Sequence, residues 1–365
     1  MTNNLKSIYR QLTEALCPED IFDVVEAAPE EQIKTIYRSM VKTVHPDRYQ
    51  HDPELKELAN EAFLFLEEFY NQALLKVEKG IYGNRQESID TGESRFTIKT
   101  AKREYHIRTL IAQGDLSTLY KGDCAGGGQE LINTVAVKVI ENPEDNDFMQ
   151  NEIRTLKSFQ EEPSKQSKHL PVFIDQFKTT DNQLGLVMKY IDGFDLYTIR
   201  EKYKDGVPDI HAAWILERLL SILGFVHSKG IIHTNIDPAH IMVRPRDHNV
   251  YLIDWGYSVI RPGVTDQGFK ILNEDYSPPE VEGHKHPIPA SDLYSSGKCM
   301  VYLLGGDIQT DLIPDKVNPA FRRFVEFFLR KSPLQRAQDA WEMYNALKEL
   351  RTEIWGSKKF VEFLI

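Results

Sequence analysis

The sequence predicts an α+β protein: an all-α N-terminal hairpin, then a small antiparallel β region, then a mainly helical C-terminal part. Three observations carry that expectation. Apolar residues recur at helical spacing through Pro29–Val44 and again from Leu55 to Val77. Strand-like stretches punctuated by glycine follow in EYHIRTLI, STLYKGDCA and NTVAVKVIE. A long apolar helix, HAAWILERLLSILGFVHSKG, then ends at Gly230.

The first helix places Ile33, Ile36, Tyr37, Met40, Val41 and Val44 on one face. Pro29 suits its first position, Glu30 and Glu31 complement the positive end of the helix dipole, and Lys34, Arg38 and Lys42 form an outward basic stripe. Pro46 stops this helix and presents His45 and Asp47 at the tip of the hairpin. Asp52 caps the second helix, with Pro53 next, and Gly80 closes it. The polar run NRQESIDTGESR, residues 84–95, has no apolar periodicity and reads as a linker between parts free to move independently.

In the β region, Val135, Val137 and Val139 alternate with Ala136, Lys138 and Ile140, which puts Lys138 on one sheet face with Ala136. The helix NDFMQNEIRTLKSF carries Glu152 among Phe148, Met149, Ile153 and Leu156, so a buried carboxylate is available to that lysine. GLVMKYIDGFDL reads as a strand running out into a turn at Gly193.

Bulk properties narrow the function. A chain of 365 residues fits two or three domains. Its net charge of -11 argues against general nucleic-acid binding. The three cysteines, Cys17, Cys124 and Cys299, have neither zinc-site spacing nor disulfide density, in keeping with a reducing compartment. With no signal core and no uninterrupted apolar run of membrane-spanning length, the expectation is a soluble, cytoplasmic protein with no membrane partner.

Two family resemblances stand on these motifs. The segment PEDIFDVVEAAPEEQIKTIYRSMVKTVHPDRYQ and the apolar helix after it resemble a J domain, over about residues 18–80. That resemblance implies docking of a DnaK-type chaperone through Lys34, Arg38 and Lys42, and stimulation of its ATPase by His45, Pro46 and Asp47. From about Phe96 to Leu350 the ordered motifs resemble a eukaryotic-type protein kinase, with a β N-lobe over 96–190, a helical C-lobe over 191–350 and a tail over 351–365. IAQGDLSTLYKG resembles the glycine-rich loop but keeps only Gly114, with Ala112 and Ser117 in the other glycine places. The resemblance assigns Lys138 to the α- and β-phosphates of ATP, Glu152 as its partner, and Asp254 of LIDWGYS as the ligand of Mg or Mn. It also implies that Leu119, Ala136 and Met242 sandwich adenine, that Met188 is the gatekeeper and that Asp195 reaches the ribose. Glu280, Asp292 and Arg336 fit scaffold positions, with Arg336 pairing with Glu280.

The loop HTNIDPAHIM departs from the family's H-R-D-L-K-P-E-N-I-L at the working positions. Asn235 stands where the catalytic aspartate is expected, and an amide has no useful basicity. Asp237 replaces the phosphate-facing lysine, turning attraction into repulsion unless a metal ion intervenes. His240 replaces the metal-binding asparagine, a nitrogen ligand suited to softer divalent metals. Thr234 takes the place of the arginine that reads a phosphorylated activation loop. Gly305 to Pro319 is too short for an extra substrate-docking helix, and the apolar tail ending Phe363, Leu364 and Ile365 is expected to pack on the helical lobe.

The resulting expectation is a co-chaperone adaptor whose nucleotide-binding pseudokinase part binds a client or regulator. The alternatives are an unorthodox serine/threonine kinase that uses Asp237 and Asp254, and a scaffold that binds proteins without responding to ATP.

Overall fold

The computed structural model describes residues 2–23, 29–78, 80, 82–83, 95–125, 134–161, 163–245, 249–283, 285–356, 361 and 363–365. The expected linker, residues 84–95, lies outside the described residues apart from Arg95, as do Gly126, Gly127 and Gly128. The chain forms two compact units, Met1–Ile191 and Asp192–Ile365.

The first unit begins with helices α1 (Thr2–Glu14), α2 (Glu19–Phe22), α3 (Pro29–Val44) and α4 (Pro53–Glu78). The predicted bounds of α3 hold because its apolar face is continuous and Pro46 ends it. Its successor is a short 3-10 turn, Pro46–Tyr49, capped by the His45 side chain. Asp52 Oδ1 accepts the backbone N–H groups of Glu54 and Leu55, each at 3.1 Å, which caps α4. Leu5, Tyr9, Leu12, Phe22, Ile33, Val44, Leu66 and Phe69 share one helical core.

Strands β1 (Phe96–Lys99), β2 (Glu104–Gln113), β3 (Ser117–Cys124), β4 (Thr134–Ile140), β5 (Phe173–Lys178) and β6 (Leu184–Lys189) form an antiparallel sheet in the order β1-β2-β3-β4-β6-β5. Helix α5 (Asn146–Glu161) connects β4 to β5 in sequence. The sheet has its own core of Ile98, Tyr105, Ile107, Val135, Val137, Ile174 and Val187. Leu16, from the turn between α1 and α2, is fully buried in that core. The helices and the sheet are therefore joined by packing as well as by the chain. A leucine at this depth stabilises the fold by about 2–5 kcal/mol relative to alanine.

The second unit holds β7 (Phe194–Asp195), α6 (Leu196–Lys202), α7 (Asp209–Ser228), β8 (Ile231–Ile232), β9 (Ile241–Arg244), β10 (Asn249–Leu252), β11 (Val259–Ile260), α8 (Pro262–Thr265), α9 (Pro289–Leu303), α10 (Pro319–Phe328) and α11 (Ala340–Trp355). Its small sheets, β10-β9-β7 and β11-β8, frame the loop from His233 to His240. α7 is long and apolar enough to span a membrane, but most of it is buried within this unit. It ends at Gly230, whose φ of +75° suits a residue without a side chain. Between α9 and α10 no further helix forms, as the shortness of that segment implied. The tail packs on the helices: Phe363 is buried beside the rings of Tyr203, His211 and Trp214, with centroids 5.5, 4.6 and 6.4 Å away.

Candidate active site

Within the first unit, the alternation along β4 puts Val135 and Val137 in the sheet core and turns Lys138 to the other face. There its Nζ meets Glu152 Oε2 of α5 at 2.8 Å, and both side chains are almost fully buried. The Phe148 ring lies 5.0 Å from the ammonium. Removing either partner of such a pair costs about 3–5 kcal/mol, because the other charge stays buried alone. The pairing Ala136↔Met188, with Leu119↔Lys138, sets Leu119, Ala136 and Met188 on neighbouring strands around the lysine. Gly114 follows β2, and its N–H donates to Ser117 O at 3.0 Å. An added methyl would meet only ordinary contact there, 3.6 Å from Ser117 O, so the turn itself does not demand glycine.

In the second unit, Asp195 and Met242 are register partners on β7 and β9. Asp195 Oδ1 accepts the Thr198 N–H at 2.6 Å and so caps α6. The loop after β8 is built on Asp292, whose carboxylate accepts the N–H groups of His233 (2.8 Å) and Thr234 (2.9 Å) and touches His227 Nε2 at 2.8 Å. These bonds hold Thr234 at φ +67°, a left-handed conformation that costs a β-branched residue about 1–3 kcal/mol. The Thr234 hydroxyl donates to Tyr257 O at 2.9 Å, a neutral tether to the segment after Asp254. His233 Nε2 lies 2.9 Å from Ile253 O, its ring is edge-on to Trp255 at 4.5 Å, and burial pushes its pKa down to about 4 against the opposing charge of Asp292.

Asn235, Asp237, His240 and Asp254 come together around the histidine ring. His240 Nδ1 donates to Asn235 O at 2.8 Å and lies 3.2 Å from Asp237 Oδ1, while Nε2 lies 3.3 Å from Asp254 Oδ2. Burial opposes the ring's charged form. The hydrogen bond and charge of Asp254, helped by Asp237, outweigh it and push the pKa up to about 9. Asp237 Oδ1 accepts the N–H groups of Ala239 (2.8 Å) and His240 (3.1 Å), and Oδ2 faces Asn273 Nδ2 at 3.4 Å. Burial raises the Asp237 pKa above its usual value, partly offset by His240 and those backbone donors. His240 thus stands between two carboxylates with both ring nitrogens engaged.

Asp254 and Asp237 are oxygen donors of the kind a hard divalent cation takes. No group of three or more His, Cys, Asp or Glu side chains is arranged to hold a metal among the described residues. A magnesium ion carried in with a nucleotide needs only one or two carboxylates, so the donor set fits. The scaffold pair is formed as expected: Arg336 binds Glu280, which also accepts from Ser291 at 2.8 Å. The Thr234 tether and the Asn273 contact were not foreseen, since each joins residues distant in sequence.

The residues assigned to chaperone binding lie on α3 and the turn after it. Lys34 is paired with Glu30 of its own helix at 2.6 Å, Arg38 and Lys42 are exposed, and the His45 ring stands edge-on to Phe63 at 5.9 Å.

The protein kinase domain family matches residues 105–356, more than half of the chain. Serine/threonine-protein kinase F of Synechocystis is 32% identical over 150 residues, 40% of this chain and 30% of that protein. Serine/threonine-protein kinase pkn3 of Myxococcus xanthus is 25% identical over 286 residues, 69% of this chain and 50% of that protein. Serine/threonine-protein kinase PknA of Nostoc is 27% identical over 232 residues, 57% of this chain and 40% of that protein. The chain spans about a third to a half of the length of these relatives.

Two expectations are corrected by these findings. The family match falls outside the N-terminal helices and the relatives are named as kinases, which overturns the co-chaperone reading of the chain. The same names overturn the expectation of a pseudokinase. That expectation rested on the changes at Asn235, Asp237 and His240, set against the retained Lys138, Glu152 and Asp254.

Proposed function

Because the chain belongs to the protein kinase family, we propose that it transfers the γ-phosphate of ATP to serine or threonine hydroxyls with an altered catalytic loop. The observation that carries this reading is the buried Lys138–Glu152 pair at 2.8 Å, which presents an ammonium from a fixed position on β4. That ammonium binds the α- and β-phosphates. Leu119, Ala136 and Met188, on neighbouring strands of the first unit, supply apolar contact for adenine. Asp254 holds Mg or Mn, whose charge, when bound, neutralises the phosphate oxygens.

Asn235 holds the loop through its backbone and takes no proton. Asp237 takes over that role: Oδ1 is committed to two backbone donors, and Oδ2 is the atom that orients the substrate hydroxyl and accepts its proton. Its raised pKa makes it a better base than an exposed carboxylate. His240 places positive charge next to Asp237 and Asp254, where the replaced lysine of the family would have supplied it. The N-terminal helices, with His45, Pro46 and Asp47 between α3 and α4, are read as a J-like helical module attached to the kinase.

The test is transfer of labelled γ-phosphate to a mixed serine/threonine peptide library. Asp237→Asn is expected to lower kcat by about 10²-fold or more with little change in the KM for ATP. Undiminished turnover in that variant would remove Asp237 from the role of base.

A further inference from the structure

Helix α5 is fastened to the rest of the first unit at both ends. At its N-terminus, Asn146 Nδ2 donates to Asn182 O at 2.8 Å, and Asn146 Oδ1 accepts the Leu184 N–H at 2.7 Å, which ties the helix to the turn before β6. Near its C-terminus, Gln160 Oε1 accepts the Phe173 N–H at 2.9 Å, and Nε2 reaches Phe173 O at 3.2 Å, which ties it to β5. The same Nε2 donates to Glu14 Oε1 at 2.8 Å, in the last turn of α1 and far away in sequence. Glu152 lies between these two fastenings.

The contact with Glu14 belongs to a continuous seam. Leu16, two residues on, is fully buried in the sheet core. Lys165 and Lys168, in the connection after α5, pair with Glu57 of α4 at 3.0 and 3.1 Å, and Lys168 also binds Glu61. Lys189 Nζ donates to Thr13 O at 3.3 Å and sits 5.3 Å from the Phe65 ring. Tyr9, Arg10 and Thr13 line a small cavity together with Phe159 and Gln160. The N-terminal helices therefore brace the C-terminal end of α5 and the chain that leaves it.

We propose that the N-terminal helices are a built-in positioning element for the kinase site: Glu14, through Gln160, fixes the helix that carries Glu152 and so sets the Lys138–Glu152 pair. This rests on the kinase reading above. The leverage follows from helix geometry. With a rise of 1.5 Å per residue, Glu152 lies about 9 Å from the Asn146 fastening and Gln160 about 21 Å from it. A displacement at Gln160 therefore moves Glu152 by about 0.4 of that amount, and a 1 Å slip lengthens a 2.8 Å ion pair measurably. Glu14 is a positioning residue in this scheme, since it acts only through α5.

The experiment uses the full chain and two variants. Glu14→Ala removes the acceptor, whereas Glu14→Gln keeps an amide oxygen for Gln160 Nε2. Glu14→Ala is expected to raise the KM for ATP by about three- to tenfold, the effect of one lost hydrogen bond. It should also speed hydrogen exchange in α5. Glu14→Gln should restore both. The tryptophans, all in the second unit, report separately that this unit stays folded. Equal ATP KM and equal α5 exchange in Glu14→Ala and the unmodified chain would overturn the proposal. If the unmodified chain transfers no phosphate, the kinase reading fails by itself. Fluorescent ATP titration and α5 exchange then decide the positioning claim: weaker binding and faster exchange in Glu14→Ala support it, and no change refutes it.

Discussion

Replacing Lys189 by methionine should stabilise the first unit at neutral pH. Lys189 is half-buried where β6 meets α1 and α4, with Thr13 O and the Phe65 ring for company. Burial pulls its pKa from the usual 10.5 down to about 8, and the charge of Glu68 only partly opposes this. A lysine with a folded pKa below its unfolded value weakens the fold wherever the unfolded chain holds its proton more tightly. The penalty is complete below pH 8 and fades as pH rises through 10.5. At 1.36 kcal/mol per pH unit it amounts to about 3 kcal/mol at pH 7. Methionine keeps the unbranched stem but loses the bond to Thr13 O and the ring contact, together about 1–2 kcal/mol. The net expectation is a gain of about 1–2 kcal/mol at pH 7. Between pH 7 and 9.5 the unmodified chain should gain about 2 kcal/mol that Lys189→Met does not show. Urea unfolding resolved by pulsed hydrogen exchange, on peptides spanning β4 and β6, measures both. A flat pH dependence in the unmodified chain, or a loss of stability in Lys189→Met at pH 7, would refute the reasoning.

Other outcomes follow from the same contacts. Lys138→Met should abolish saturable binding of fluorescent ATP and lower the stability of the first unit by about 3–5 kcal/mol, and Glu152→Gln added to it should recover part of the stability but none of the binding. Glu280→Ala leaves Arg336 buried without its carboxylate, so the tryptophan-monitored unfolding of the second unit should fall by about 3–5 kcal/mol. Phe363→Ala should cost about 1.5–3 kcal/mol and shift the emission of Trp214 to the red as water reaches the pocket the ring fills.

The parts legible in the sequence are those set by local period or by side chains that stop an element. Helix α3 was readable from its apolar face and from Pro46. The pairing of Lys138 with Glu152 was readable because strand alternation turned one residue to a known face and the next helix offered a single buried carboxylate. The Arg336–Glu280 pair was readable only through resemblance, since no local pattern joins residues that far apart. The insertion of Leu16 into the sheet core had no such signal, because a leucine after an amphipathic helix looks the same whether it caps its own bundle or enters another. The neighbours of His240 had no local signal either. Its replacement of asparagine suggested a ligand, and the fold sets it between Asp237 and Asp254, where both nitrogens are engaged. The function was misjudged because the changes at Asn235, Asp237 and His240 outweighed the retained Lys138, Glu152 and Asp254 in that reading.

The central claim is phosphoryl transfer by this chain, and it is tested most directly by following labelled γ-phosphate from ATP into peptide, with magnesium and separately with manganese, for the unmodified chain beside Asp254→Ala. The account predicts incorporation into serine or threonine that disappears in Asp254→Ala. No incorporation with either metal, or incorporation that survives the loss of Asp254, would contradict it.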